Sequence, residues 1–414
     1  MRPMTSNAIP RLVIRGGQVF DSAGGTASVA DVVVEGDRIV DVGTGLDGDE
    51  ALDASGHAVY PGFIDSHVHF MADGDLDPMT SVRTPFSMNF YLAAERMQRT
   101  LATGVTTVRE AGGSDLGVKE AQTSGLIPGP HMQISISILS QTGGHGDSWE
   151  VCGAFLPGII GGPHPGKPHN IVDGAEEMRK KVRELLRAGA DVIKVCTSGG
   201  VLSPRDDPRH GHFRDPELDV LVAEAAAAGK WVMAHAQATD GIKSAVRAGI
   251  RSIEHGIYLD DEAIGMMLER GTYLVPTLIA PMGVLEAADR GMAVPPYAIE
   301  KAKMVIETHR ESIRMAVAAG VKVAMGTDSG VMPHGQNLRE LEQMALCGMT
   351  PAQTLIATTS TAAALLGVDD DRGAIEPGKR ADLVIARGDA LDIENLGSRI
   401  RTVLQNGRIV AENE

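Results

Sequence analysis

The sequence predicts an α/β protein, in which a (β/α)8 barrel carries a small β domain built from both termini. Short apolar runs alternate with helical stretches through residues 61–367, and eight such runs are the number that a closed barrel needs. Residues 1–60 and 368–414 instead show short strands punctuated by Gly and Asp. The predicted boundaries are therefore 61–367 for the barrel and 1–60 with 368–414 for the β domain.

The individual elements follow from the same patterns. Strands of the β domain are predicted over residues 12–14, 17–20, 29–34, 38–42, 381–385 and 402–410, with a hairpin turn at Asn406–Gly407. Barrel strands are predicted over residues 59–64, 106–108, 132–136, 192–195, 231–234, 252–254, 273–275 and 321–325. One helix is predicted over 174–188, capped by Asp173 with Glu176 as capping-box partner, and another begins after the cap Thr350. In this fold, active-site residues lie where the barrel strands end and the following helices have not yet begun.

Charge and composition exclude several function classes. The net charge of −16 argues against binding to nucleic acid or to an anionic membrane surface. The cysteines Cys152, Cys196 and Cys347 are odd in number and scattered, which fits a reducing compartment. No apolar run approaches the ~20 residues of a membrane span, and residues 1–7 lack the apolar region of a secretory signal. A cytoplasmic protein without membrane or nucleic-acid partners is therefore expected.

The most informative motif is the pair His67 and His69 at the end of a predicted strand. Side chains alternate along a strand, so the two imidazoles point to the same side and form half of a metal site. Taken alone, the motif also fits two ordinary loop histidines. Further candidate ligands, His235, His255 and Asp328, follow three other predicted strands, although each alone also fits a core histidine or a turn cap.

Lys194 lies near the end of the predicted strand 192–195, where a lysine is costly unless it is paired or neutralised. Either it reaches solvent at a sheet edge, or its amine has a lowered pKa and reacts with carbon dioxide to give a carbamate, which could bridge two metal ions. The joint pattern predicts a centre of two divalent ions. Zinc suits this set of ligands, as do manganese and cobalt. In this arrangement His67, His69 and Asp328 hold one ion, His235 and His255 hold the other, and the carbamate with a hydroxide bridges them.

Several segments resemble the metal motifs of the amidohydrolase superfamily: PGFIDSHVH at 61–69, VIKVCTSGG at 192–200, AHAQ at 234–237, IEHG at 253–256 and GTDSG at 326–330. The resemblance spans nearly the whole chain, and residues 373–384 resemble the segment that returns to the β-sandwich of that superfamily. Residues 142–147 and 197–203 are similar to the imidazolonepropionase-like branch, which holds metal-dependent Xaa-Pro dipeptidase-type carboxypeptidases and ochratoxin-hydrolysing amidohydrolases. The resemblance implies a β-sandwich at the termini and a homo-oligomer, often an octamer.

The resemblance also implies hydrolysis of the amide bond in an N-acyl amino acid or dipeptide with a free carboxylate, ochratoxin A included. The bridging hydroxide attacks the carbonyl carbon, and Asp328 takes its proton and delivers it to the leaving nitrogen. His145 is the candidate oxyanion donor, or else an exposed loop histidine. Tyr258 is the candidate contact for the carboxylate, or else a packing residue, and His334 is a rim candidate. Residues 148–170 are too long for a plain connector and are predicted to form a lid.

Two other functions are compatible with this pattern. A cyclic-amide hydrolase or imidazolonepropionase-like enzyme would share the scaffold, but Lys194 favours the first interpretation because the single-metal branches usually lack that lysine. A non-catalytic assembly protein on the same scaffold would have lost ligands, whereas all six candidates are present. The acyl group and the preferred C-terminal residue are not specified by the sequence.

Overall fold

The computed structural model describes residues 10–158 and 160–413. Residues 1–9 and Glu414 of the predicted β domain, and Ile159 of the predicted lid, lie outside the described residues. The strands are β1 Arg11–Asp21, β2 Thr26–Glu35, β3 Arg38–Gly43, β4 Glu50–Asp53, β5 His57–Pro61, β6 Phe63–Val68, β7 Val105–Glu110, β8 His131–Ile134, β9 Ile138–Leu139, β10 Ile193–Cys196, β11 Val232–Ala236, β12 Ser252–His255, β13 Tyr273–Val275, β14 Leu383–Arg387, β15 Ile400–Gln405 and β16 Arg408–Glu412. The helices are α1 Pro78–Arg83, α2 Met88–Ala102, α3 Leu116–Thr123, α4 Ala175–Arg187, α5 Asp215–Ala227, α6 Thr239–Ala248, α7 Asp261–Arg270, α8 Ile279–Asp289, α9 Pro296–Ala319, α10 Arg339–Leu346, α11 Pro351–Ala357, α12 Ser360–Leu366 and α13 Leu396–Arg399.

Strands from both ends of the chain share one eight-stranded sheet, which we call the terminal sheet. Its order is β16-β15-β14-β5-β1-β2-β3, and β4 pairs with β1. The runs predicted at residues 12–14 and 17–20 are one strand, β1, with a bulge between Ile14 and Gly17. At this bulge Gly16 has a φ of 70°, a conformation that residues with a side chain rarely adopt. Because β5 lies between β1 and β14, the N-terminal region is paired directly with the C-terminal region.

The strand predicted over residues 59–64 is two strands in the structure. β5 belongs to the terminal sheet, whereas β6 pairs in parallel with β7. Between them, the Gly62 N–H donates to the Asp382 carbonyl at 2.7 Å. A Cβ at this position would lie 2.1 Å from Thr106 Oγ1, so the crossing accepts only glycine. The prediction of a single strand was wrong because its two halves belong to different sheets.

The remaining parallel strands form two open sheets. One has the order β6-β7-β8, and the other has the order β13-β12-β11-β10-β9. The eighth predicted strand, at residues 321–325, is an extended segment that forms one isolated bridge, between Val323 and Leu274. Leu274 of β13 donates to the Lys322 carbonyl and Ser66 of β6 donates to the Met325 carbonyl, each at 2.9 Å. This segment therefore hydrogen-bonds to one strand of each sheet. The alternation of parallel strands and helices confirms the predicted α/β class.

Two predicted helix caps have different outcomes. At α11 the capping box is confirmed, because Thr350 Oγ1 accepts from the Gln353 N–H at 3.2 Å and Gln353 Oε1 accepts from the Thr350 N–H at 2.8 Å. The predicted cap of α4 was wrong. The Asp173 carboxylate instead accepts from the Thr142 N–H at 3.0 Å, and Gly174 occupies the cap position.

The helices pack their apolar faces into the main core. Met178, Val182, Leu185 and Leu186 are predicted to form one apolar face of α4. The first three are fully buried, in one cluster with Ile134 and Ile193 of the parallel sheets, and Leu186 is partly buried against it. Burial of each such side chain contributes about 1.5–3 kcal/mol to stability. Among the helices of the described residues, none combines the length and the apolar character needed to cross a bilayer.

Candidate metal centre

The six predicted ligands lie at or just after the ends of parallel strands. They are His67 in β6, His69 one residue beyond it, Lys194 in β10, His235 in β11, His255 at the end of β12 and Asp328 after the extended segment 321–325. Adjacent parallel strands end at a common edge, so their last side chains converge. One ligand atom each from His67, His255 and Asp328 lies within 4.8 Å of the other two.

Asp328 connects the two histidines of the first motif. Its Oδ1 lies 3.4 Å from His67 Nε2 and 3.2 Å from His69 Nε2. The ring centroid of His255 lies 5.3 Å from that of His67 and 4.5 Å from that of His235. The structure therefore brings the four histidines and Asp328 into one cluster, and Lys194 lines the same cavity.

Residues of this cluster hold unusual backbone conformations. His255 has a φ of 74° and Asp328 a φ of 59°. Thr277, whose hydroxyl lies 2.7 Å from His255 Nδ1, has a φ of 53°. Such conformations cost on the order of 1–3 kcal/mol each for residues with a side chain, and they persist where the surrounding structure imposes them. Their concentration at this edge is typical of a functional site.

Backbone carbonyls orient two of the histidine rings. His69 Nδ1 donates to the Gly112 carbonyl at 2.7 Å, and His235 Nε2 donates to the Gly199 carbonyl at 3.0 Å. A carbonyl only accepts, so each bond assigns a proton to that nitrogen. In the neutral form of each ring, the other nitrogen, Nε2 of His69 and Nδ1 of His235, carries the lone pair that can bind a metal ion.

A buried ion pair that was not predicted from the sequence orients His67. His67 Nδ1 lies 2.7 Å from Glu254 Oε2, and Arg109 Nη2 donates to Glu254 Oε1 at 2.8 Å. Arg109 also donates to the Ser66 carbonyl at 2.8 Å and to Ser252 Oγ at 3.0 Å. Both charged side chains are fully buried. The available signal was an acidic and a basic residue inside apolar strands, where a charge needs a partner.

Lys194 is one of the buried polar groups that the surrounding described residues leave without a hydrogen-bond partner. Its side chain is buried, and among the described residues its Nζ has no hydrogen-bond partner. Burial lowers the pKa of this amine below its usual value. An unpaired buried ammonium costs several kcal/mol, on the order of the penalty for any isolated buried charge. A neutral or modified amine beside imidazoles and a carboxylate is a donor set that fits divalent metal ions.

The protonation states of the cluster also suit a metal. Burial lowers the pKa of His67, His235 and His255 well below the usual value, so these rings are neutral, which is the form that binds metal. Burial alone would raise the pKa of Asp328, but its interactions with His67 and His69 outweigh burial and hold the pKa below its usual value. Burial likewise opposes protonation of His69, but its hydrogen bond with Asp328 raises its pKa.

This cluster forms the floor of a cavity of about 240 Å³. Apolar side chains form much of the wall, among them Leu76, Val201, Ile257, Val284 and Val331. The predicted lid, residues 148–170, contributes a further part of the lining, namely Ser148, Glu150, Leu156, Pro157, Gly158, Ile160, Gly161, Gly162, Pro163, Lys167, Pro168 and Asn170. A mainly apolar cavity over polar groups is typical of a site for one small ligand.

The three predicted substrate contacts lie in different environments. His145 lines the cavity, and its ring stacks on His235 with centroids 4.2 Å apart. Tyr258 is half-buried and packs against the apolar cluster around Ile257. This environment fits the alternative in which Tyr258 is a packing residue. His334 is buried rather than at the rim, because its Nε2 contacts the His69 carbonyl at 3.1 Å and its ring stacks on Phe70.

Two further residues of the cavity were missed. Lys167 is buried in the predicted lid, and its Nζ donates to the carbonyls of Ile160 at 2.8 Å and Gly161 at 2.7 Å. Burial lowers the pKa of Lys167 to about 8. Tyr297 of α9 also lines the cavity. A lysine in a Gly- and Pro-rich loop carries no periodic signal, so the sequence does not indicate which way it points.

The comparisons with known proteins agree with this site. The model of the amidohydrolase family matches residues 58–410. In sequence, the chain is 34% identical over 342 residues to an ochratoxinase from Aspergillus niger, a match that covers 80% of this chain and 70% of that protein. In structure, it is similar to an Xaa-Pro dipeptidase with bound methionine in the active site, with a TM-score of 0.89, 32% identity and coverage of 97% of this chain and 100% of the other. A prolidase complexed with N-methylphosphonate-L-proline gives a TM-score of 0.88 at 34% identity, with the same coverage. The chain therefore belongs to the amidohydrolase family and is a hydrolase that acts on amide or peptide C–N bonds.

Proposed function

We propose that this protein hydrolyses N-acyl amino acids or dipeptides that carry a free C-terminal carboxylate, with ochratoxin A as one candidate substrate. The similarity to an ochratoxinase and to an Xaa-Pro dipeptidase supports this choice of substrate class. The observation that carries the proposal is the position of four imidazoles, Asp328 and the unpartnered Lys194 on the floor of one apolar cavity. The apolar wall suits an acyl group or an apolar side chain.

Two divalent ions, with zinc as the first candidate, are part of this proposal. His67, His69 and Asp328 would hold one ion, His235 and His255 the other, and a carboxylated Lys194 both. When bound, the ions supply Lewis acidity toward the amide carbonyl and lower the pKa of water. Carboxylation joins Lys194 Nζ to the carbon of carbon dioxide with loss of one proton, and it turns a buried amine without a partner into an anion suited to cations.

Asp328 is proposed to move the proton during hydrolysis. As an anion it takes a proton from the attacking water, and it then delivers that proton to the leaving amide nitrogen. Its position between His67 and His69 keeps the carboxylate at the cavity floor. His145 is proposed to donate a hydrogen bond to the carbonyl oxygen as negative charge develops there. Residues 148–170 are proposed to exclude bulk water while the substrate is bound.

Lys167 is proposed to attract the substrate carboxylate. Of its ammonium donors, two contact carbonyls of its own loop, and its side chain lines the cavity. A buried ammonium in a largely apolar wall provides positive potential where a free carboxylate needs it. Tyr258 and His334, the other substrate contacts predicted from the sequence, lie in packed positions and are weaker candidates for contact with the substrate.

We also propose how the sheets combine into domains and how the chains assemble. The hydrogen bonds that residues 321–325 make to β13 and β6 support a single (β/α)8 barrel formed from the two parallel sheets. The terminal sheet would then be the β-sandwich domain. We further propose a homo-oligomer that acts on a small molecule or dipeptide, and not on nucleic acid, in keeping with the net charge of −16.

A substrate panel tests the proposed function. The protein loaded with Zn, Mn or Co is incubated with N-acyl amino acids, Xaa-Pro dipeptides, ochratoxin A and cyclic amides, and free amino acid is quantified by mass spectrometry. We expect release of amino acid from the first three classes, and its loss when a chelator removes the metal. Turnover of cyclic amides alone would favour the imidazolonepropionase-like alternative. Metal analysis that finds about none per chain would support a non-catalytic role.

A further inference from the structure

The ring of His145 is held from behind by a buried polar network. Its Nδ1 lies 2.7 Å from Ser203 Oγ and 3.5 Å from Asp206 Oδ2. The Ser203 hydroxyl donates to Asp206 Oδ1. Because that hydroxyl has given its hydrogen to Asp206, its oxygen accepts from Nδ1–H of His145. Nε2 is therefore the nitrogen that remains available to the cavity.

Asp206 is itself firmly placed. Its side chain is only 1% exposed, and the Gly200 N–H donates to its Oδ2 at 3.1 Å. Lys301 of α9 donates to Asp206 Oδ1 at 3.0 Å. The same ammonium also contacts three carbonyls of this loop, those of Gly200 at 3.0 Å, Ser203 at 2.7 Å and Asp206 at 2.6 Å. Because these bonds satisfy the ammonium and the carboxylate in a largely buried place, they fix the loop against α9 and fix the Asp206 carboxylate within the loop.

The faces of the His145 ring are restricted as well. One face stacks on His235, at an interplanar angle of 17°. A Cβ placed on Gly200 would lie 2.3 Å from His145 Cε1, so the backbone at this glycine lies directly against the ring. Small changes in the network behind Nδ1 would therefore be transmitted to the direction in which Nε2 points.

We propose that Asp206, acting through Ser203 and fixed by Lys301, is the positioning residue that directs Nε2 of His145 at the scissile carbonyl. The inference rests on the proposed function, in which His145 donates to the carbonyl oxygen. Neither the Asp206 carboxylate nor Lys301 takes part in the proton transfer proposed for Asp328.

A double-mutant cycle tests the inference. Asp206→Asn, Ser203→Ala and Lys301→Met are each made in the wild type and in His145→Ala, and kcat and KM are measured with an N-acyl amino acid. In the wild type we expect Asp206→Asn to lower kcat by about 10- to 100-fold and to change KM by no more than about twofold. The expected decrease is smaller than the decrease caused by loss of a whole oxyanion donor, because the His145 ring is still present. In His145→Ala the same change should have no further effect on kcat. An equal loss in both backgrounds would assign a general structural role to the network and overturn the inference.

Matched controls use the neighbouring charges. Asp207→Asn alters the adjacent carboxylate, whose partner is the exposed Arg209, and Lys303→Met alters an exposed lysine of the same helix. Both controls should keep the wild-type kcat and KM. If either control lowers kcat as much as Asp206→Asn does, the effect is not specific to this network and the inference is wrong.

A crystal structure of Asp206→Asn gives a result that does not depend on activity. We expect the His145 ring to leave the face of His235, and a ring that keeps its place and orientation would overturn the inference. The two proposals can then fail separately. A wild type that releases no amino acid from any substrate refutes the proposed function. An active wild type that Asp206→Asn leaves unchanged refutes only the positioning role.

Discussion

The floor and the roof of the cavity are built in different ways. On the floor, His67, His235 and His255 lie on parallel strands whose direction and spacing are set by backbone hydrogen bonds. The roof consists of irregular segments, residues 148–170 and 199–210, which are held by individual side chains such as Lys167 and Arg205. The sheets therefore determine where the candidate metal ligands lie, whereas single side-chain contacts determine the shape of the cavity above them.

Lys194→Ala should have the largest effect. It removes the group that would bridge the two ions, so we expect kcat/KM to fall by at least about 10³-fold, equivalent to several kcal/mol of transition-state stabilisation. Short carboxylic acids added to the assay should restore part of the activity, and metal content should fall. The matched control is Lys322→Ala, an exposed lysine in the extended segment 321–325. Wild-type activity in Lys194→Ala would refute the bridging role.

Glu254→Gln should damage the floor through stability and metal affinity together. The change leaves Arg109 buried without its anion, which costs on the order of 3–5 kcal/mol, so the free energy of unfolding should fall by that amount. The loss of the partner of His67 should weaken metal binding by about 10- to 100-fold. Denaturant titration and metal competition measure the two effects. The control is Glu262→Gln, which alters a surface ion pair with Lys243 and should change neither the free energy of unfolding nor the metal affinity. Equal losses in the two variants would contradict the role of Glu254.

Lys167→Met should raise KM about tenfold for substrates with a free carboxylate, equivalent to about 1.4 kcal/mol, and should not affect the corresponding amides. The pKa of Lys167 is lowered to about 8, so its ammonium loses its proton as the pH rises through that value. In the wild type, KM for carboxylate substrates should therefore increase above about pH 8, and this increase should be absent in Lys167→Met. Lys180→Met, on the exposed face of α4, is the control. A pH-independent KM in the wild type would exclude Lys167 as the carboxylate contact.

Arg205→Met should have the smallest effect. Arg205 donates to the Trp149 carbonyl and to the Glu150 carboxylate, and its guanidinium lies 5.3 Å from the Trp149 ring centroid. Partly exposed contacts of this kind contribute about 0.2–1 kcal/mol each, so we expect a decrease in kcat/KM of about two- to fivefold. Hydrogen exchange of residues 148–158 should become faster. Arg209→Met is the matched control, and unchanged exchange in Arg205→Met would show that Arg205 does not hold the lid.

The floor could be predicted from the sequence because it depends on local periodicity. His67 and His69 are two residues apart on a strand, and the remaining ligands follow apolar runs, so a parallel arrangement of strands is enough to bring them together. The environment of His334 could not be predicted, since its burial depends on Phe70 and on the His69 carbonyl, which lie far away in sequence. The prediction that Asp173 caps α4 was wrong for the same reason, because its carboxylate instead accepts a hydrogen bond from Thr142, which is distant in sequence. Local patterns thus locate the candidate ligands, whereas tertiary contacts determine which residues surround them.

The single residue Gly62 between β5 and β6 has a consequence for how this chain can be altered. One residue spans at most about 3.6 Å, so the start of β6 cannot move independently of the terminal sheet. Any displacement of that sheet is passed along β6 to the two histidines at its far end. The terminal strands are therefore not an exchangeable module: a truncated chain without them, or a chimera with another sheet grafted at this junction, would lose the alignment of these two histidines.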